Sequence, residues 1–209
     1  MDAFGRWAPL VCGAAIALHA QIIPFESNGL KYKALTRGGM TIMFAQLPTH
    51  IRNYSILQVS VSNGSPISWT VRPEDFRFEG ENGVNIQAPS ARVVVGNLLA
   101  KASRGDVSKL VVAYETALYG NTQMHSTNGY ESRRQDALAE GGSSRLKAAA
   151  AASAIALGTT KLEPGQSTDG AVFYPTNGKP LGAGKLIVEA AGEEFVFPVE
   201  AELPLHGGH

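Results

Sequence analysis

Apolar and polar residues alternate with a period of two along most of this chain, and the alternation is broken repeatedly by Gly and Pro. Leu30, Tyr32 and Ala34 alternate with Lys31 and Lys33. After Gly38-Gly39, Met40, Ile42 and Phe44 alternate with Thr41, Met43 and Ala45. Both runs predict half-buried strands. Leu57, Val59 and Val61 alternate with Gln58, Ser60 and Ser62, and Ile67, Trp69 and Val71 resume the apolar face beyond Asn63-Gly64-Ser65-Pro66, which predicts a hairpin. Phe76 and Phe78 point opposite Asp75, Arg77 and Glu79 in a further short strand. Residues 84–86, 93–95, 110–114, 171–174, 185–190 and 195–199 supply more short apolar runs.

The most specific turn lies between Leu162 and Val172. Pro164 presets φ at the second position of a turn, and Gly165 accepts the positive φ a type II turn needs next. The following apolar run ends at Pro175. Short strands separated by such turns predict an antiparallel β-sandwich rather than a parallel sheet, which requires helices between its strands.

Residues 119–157 break the β pattern. Helix formers dominate 131–140 and 145–157, split by Gly141-Gly142, which predicts an inserted helical segment. Alanine adds propensity but little burial, so residues 148–152 need a surface to lie against. That surface is a sheet edge, a second helix or another protein.

The first 20 residues read as a secretory signal peptide: Arg6, an apolar run over 7–18, and Ala20 before Gln21 as the cleavage point. The run is short for a bilayer and contains Pro9. Val11 before Cys12 is bulkier than the residue that precedes a lipid-modified cysteine. Cleavage after Ala20 leaves no cysteine, which removes disulfides and thiolate chemistry. Stability then rests on burial, and a domain of roughly 190 residues buries about 70% of its unfolded surface. The expected organisation is a signal peptide over 1–20, one sandwich domain over 21–201 and a flexible tail over 202–209.

Eighteen basic residues balance eighteen acidic ones, so no long-range field gathers nucleic acid or anionic lipid, and self-association is permitted. No transmembrane span is expected in the mature chain, and the location is exported, periplasmic or secreted.

The order of apolar strand, Asn63-Gly64 turn, Trp69, Pro73-Glu74-Asp75-Phe76 and glycine turn, followed by Leu162-x-Pro164-Gly165-x-Ser167-x-x-Gly170-x-Val172-Phe173, resembles bacterial exported immunoglobulin-like domains of unknown function. The likeness covers most of residues 30–201. It implies an all-β, immunoglobulin-like antiparallel β-sandwich and export, and it brings no catalytic residues.

Catalytic motifs are missing: no nucleophile elbow, zinc-protease helix, phosphate loop or EF-hand spacing occurs. His50 and His125 sit in polar settings near turn residues. Glu74 and Asp75, with Asp106 or Asp169, are the acids a hydrolase reading would use, and that reading needs two carboxyls facing across a cleft. His206 and His209, spaced by two glycines, offer an alternative weak copper or zinc site. Trp69 belongs to the core by its alternation, while Tyr54, Tyr114, Tyr119 and Tyr130 are candidates for an aromatic recognition face. Tyr114, Tyr119, Tyr130, Arg133 and Arg134 have the residue types that interfaces favour and flank the helical segment. The expectation is a non-enzymatic, cofactor-free exported module that binds a protein or envelope component, with metal capture and hydrolysis as alternatives.

Overall fold

A computed structural model describes residues 21–27, 29–101, 112 and 144–201. The signal segment, residues 119–143 of the helical segment and the C-terminal tail lie outside the described residues.

Two antiparallel sheets form most of the fold. The larger has the order β1 (Ile23–Ser27), β2 (Leu30–Arg37), β3 (Met40–Ile51), β4 (Tyr54–Asn63), β9 (Ser167–Pro175). Its first four strands follow one another as a meander, whereas an immunoglobulin sandwich divides its early strands between two sheets. The smaller sheet has the order β11 (Glu193–Val199), β10 (Gly184–Ala190), β6 (Phe76–Gly80), β7 (Asn85–Gln87). A separate pair joins β5 (Trp69–Val71) to β8 (Thr160–Leu162).

Alternation along the strands puts apolar side chains on both faces of the larger sheet. Ile42, Phe44, Leu57, Val59 and Val172 point toward the smaller sheet and meet Phe76, Phe78, Leu186, Val188 and Phe197. Phe44 meets Phe197 edge-on, with centroids 5.1 Å apart. Tyr32, Ala45, Ile56, Ala171 and Phe173 point the other way, against two helices, α1 (Ala91–Lys101) and α2 (Ser144–Ile155). The larger sheet is therefore the middle of three layers, and β4 is buried along nearly its whole length. Each large side chain fully buried in this way contributes roughly 1.5–3 kcal/mol.

The third layer corrects two readings of the sequence. Helix begins at Ala91, well before residue 119, and the β-branched run 93–95 is helical rather than extended. Val94 and Leu98, four apart, face the middle sheet, and that burial outweighs the strand propensity of three consecutive valines. In α2, Ala151, Ala152 and Ala154 let the helix backbone approach the sheet closely. Beyond α2, Ala156 bridges Ala171, and the Leu157 amide donates to Ala171 O at 2.9 Å, closing the free edge of β9. Leu157 lies so close that a Cβ on Gly170 would sit 2.6 Å from its Cα.

The hairpin expected across residues 63–66 does not form. β4 pairs with β3 and β9, and β5 pairs with β8. The cause is the side chain of Asn63, which is 1% exposed. Its amide nitrogen donates to Ile67 O at 2.8 Å and Leu162 O at 3.0 Å, and its Oδ1 accepts from Ser65 N and Oγ at 3.0 and 2.7 Å. These bonds turn the chain out of the middle sheet and tie it to β8. The Pro164-Gly165 turn forms as expected, with Gly165 at φ 82° and Gln166 N donating to Glu163 O at 3.0 Å.

One edge of the smaller sheet is capped by side chains of β2. Lys33 Nζ donates to Pro198 O at 2.6 Å and Arg37 donates to Glu194 O at 2.9 Å. Both pairs are four residues apart, so antiparallel strands bring them into register. The cations occupy acceptors that a foreign strand would otherwise use.

Candidate functional site

The helix-facing side of the middle sheet carries polar side chains on successive strands. Strand register sorts them into rows. In one row stand Tyr32, Ala45, Gln58 and Ala171. Ala45 is small enough for the Tyr32 phenol to reach over it and donate to Gln58 Oε1 at 2.9 Å. The next row holds Ala34, Met43, Ser60 and Asp169, and the one beyond holds Thr36, Thr41, Ser62 and Ser167. In that last row the hydroxyls pair, Thr36 with Thr41 at 2.8 Å and Ser62 with Ser167 at 2.7 Å.

Burial grades across these rows. Gln58 is 1% and Asp169 4% exposed, while Thr41, Ser60, Ser62 and Ser167 are half-buried. Burial pushes the Tyr32 phenol up to about 12, so it is a neutral donor throughout the physiological range. Gln58 Nε2 is buried without a hydrogen-bond partner among the described residues. An unmet donor of this kind costs about 1–3 kcal/mol. The patch thus combines hydroxyls, an amide and a carboxylate. It can hydrogen-bond a neutral polar group.

On the opposite face, burial raises the Tyr174 phenol, whose hydroxyl has no partner among the described residues. At the β5–β8 pair, Glu163 accepts from Lys161 Nζ at 2.7 Å and from Ser68 Oγ. Lys161, then Ser68, holds its carboxyl below the usual range.

The residues singled out from sequence fall in separate places. Tyr114, Tyr119, Tyr130, Arg133, Arg134, His206, His209, His125 and Asp106 lie outside the described residues. His50 is in β3, paired with Ser55. Asp75 belongs to the 3-10 turn Pro73–Asp75, where its carboxylate accepts from Arg72 N at 2.7 Å and burial raises it above the ordinary range. That turn leads into the smaller sheet, while Asp169 points from the far face of the middle sheet. The sheet between them separates the two acids, so Asp75 and Asp169 share no cleft.

Tyr54 is core rather than recognition surface: it is 5% exposed, meets Phe173 edge-on at 6.0 Å and accepts from Asn97 Nδ2 at 2.7 Å. Trp69 is half-buried against the core between the sheets and donates to Ser65 Oγ at 3.0 Å, while Ile67 is 55% exposed. Among the described residues no cluster of His, Cys, Asp or Glu is arranged to hold a metal. No described helix is long and apolar enough to cross a membrane.

Gln58, Ser60 and Ser62 are the polar positions of an alternating strand, and sequence reading sends them to solvent. Only the helix layer turns that face inward. Comparison with family models, curated proteins and solved structures finds no match.

Proposed function

We propose that the protein is an exported, non-enzymatic sandwich module, immunoglobulin-like in its packing of antiparallel layers, that binds a protein or envelope component through the chain between α1 and α2. One observation supports this above others: α1 and α2 pack against each other and against the middle sheet. The connecting chain therefore leaves from one packed helix and returns to the other. Chain that leaves and re-enters a packed scaffold is where recognition residues concentrate, because the scaffold bears the folding energy and tolerates sequence change there. That chain carries Tyr114, Tyr119, Tyr130, Arg133 and Arg134, the aromatic and guanidinium types that dominate interface energetics.

Crosslinking in the producing cell tests the reading. The full chain is compared with a variant carrying Tyr114→Ala, Tyr119→Ala, Tyr130→Ala, Arg133→Ala and Arg134→Ala. Loss of specific crosslinks with an unchanged melting temperature is expected. An unchanged set of crosslinks in the folded variant refutes it.

A further inference from the structure

We propose that Asn177-Gly178 is a site of spontaneous deamidation, a covalent modification to which the fold exposes this pair and from which it shields two others. Asn-Gly converts when the glycine backbone nitrogen, losing its proton, bonds to the asparagine Cγ. The Cγ–Nδ2 bond breaks, nitrogen leaves as ammonia, and water opens the resulting succinimide to aspartate or isoaspartate. No oxidant or cofactor is involved. The step needs a glycine N–H free of hydrogen bonds, an unrestrained side-chain amide and access to water.

Three Asn-Gly pairs lie wholly within the described residues, and they differ in these respects. At Asn63-Gly64 both reacting groups are held: the buried side-chain amide makes bonds to Ile67 O, Leu162 O and Ser65, and Gly64 N donates to Gly39 O at 2.8 Å. At Asn82-Gly83 the pair is exposed, yet Gly83 N donates to Gly80 O at 3.0 Å and Asn82 Oδ1 accepts from Val84 N at 3.1 Å. Asn177 and Gly178 are both exposed and both have positive φ, 55° and 78°. They are the two central residues of a turn closed by Lys179 N to Thr176 O at 3.2 Å, a bond that uses neither reacting group.

The position gives the modification a structural consequence. Thr176 N donates to Asn53 O at 2.8 Å, and Ser55 Oγ donates to Lys179 O at 2.8 Å, so both ends of the turn are tied to the β3–β4 hairpin. Isoaspartate lengthens the backbone between those ties, and either product adds a negative charge to a chain of zero net charge. The end of the sandwich at β4 and β9 therefore changes with the age of the molecule.

The test is peptide mapping of the purified full chain, folded and urea-unfolded, during incubation at mildly alkaline pH. Conversion is read as a gain of about 1 Da at each asparagine and as isoaspartate by enzymatic methylation. In the folded protein Asn177 is expected to convert within about tenfold of its unfolded rate, with Asn63 and Asn82 each suppressed by more than about tenfold. An Asn177→Gln variant should lose the early acidic species. Conversion at Asn63 or Asn82 as fast as at Asn177 in the folded chain overturns the proposal. So does an intact Asn177 over the time in which the unfolded chain converts it.

Discussion

Replacing Asn63 by alanine removes four side-chain hydrogen bonds at a site 1% exposed to solvent, two to carbonyls and two from Ser65. A net hydrogen bond contributes about 0.5–1.5 kcal/mol, and stranded buried partners cost more. Without Asn63 Oδ1 the single Ser65 hydroxyl proton is free to turn to Ile67 O, 3.1 Å away, so that carbonyl regains a donor. The expected loss is therefore about 2–4 kcal/mol. Urea melts of wild type and Asn63→Ala read it as a lower midpoint with an unchanged slope. Asn63→Asp separates the contributions: it preserves the acceptor for Ser65 but aims an oxygen at two carbonyls. Burial and those carbonyls favour the protonated acid, so its deficit should shrink as pH falls and a proton supplies the missing donor. A loss below about 0.5 kcal/mol for Asn63→Ala would mean that the network does not divert the chain out of the middle sheet.

Three further outcomes follow from local geometry. Gly170→Ala places a Cβ 2.6 Å from Leu157 Cα, a backbone clash that should cost at least about 1–3 kcal/mol in thermal melts and loosen the segment that closes the β9 edge. Ala191 occupies the two-residue β10–β11 turn at φ 59° before Gly192, a conformation suited to Asn-Gly, so Ala191→Asn should stabilise the fold by about 0.5–1 kcal/mol in the same assay. Because Lys161 and Ser68 lower the Glu163 carboxyl, the folded state binds its proton less readily than the unfolded chain. Its contribution is complete above the ordinary carboxylate range and vanishes as pH falls through the lowered value. Glu163→Gln should therefore lower the melting temperature slightly at neutral pH and leave it unchanged in strong acid.

Most strands were legible because their causes are local. Period-two alternation located the central runs of the middle sheet, and the positive φ at Gly38, Gly39 and Gly165 falls where glycine punctuates the sequence. Strand partnership was not legible: the pairing of Trp69 with Leu162 depends on a buried amide bridging two distant segments. Residues 93–95 misled because three valines favour extended backbone in isolation, and their helical form depends on contact with the sheet. The polar rows containing Gln58 and Asp169 were hidden for the same reason. Their residues alternate as a solvent face does, and the helices that bury Gln58 are joined to the sandwich through tertiary contacts.

The central structural claim is that the chain leaves the middle sheet at Asn63 and that β9, not β5, pairs with β4. Cysteines at Ser62 and Ser167, whose hydroxyls lie 2.7 Å apart, test it directly. In protein lacking Cys12, Ser62→Cys with Ser167→Cys should form an intramolecular disulfide under mild oxidation, seen by peptide mapping. Failure of that pair to bond, together with bonding of Ser62→Cys to Ser68→Cys, would restore the simple hairpin and contradict the three-layered fold.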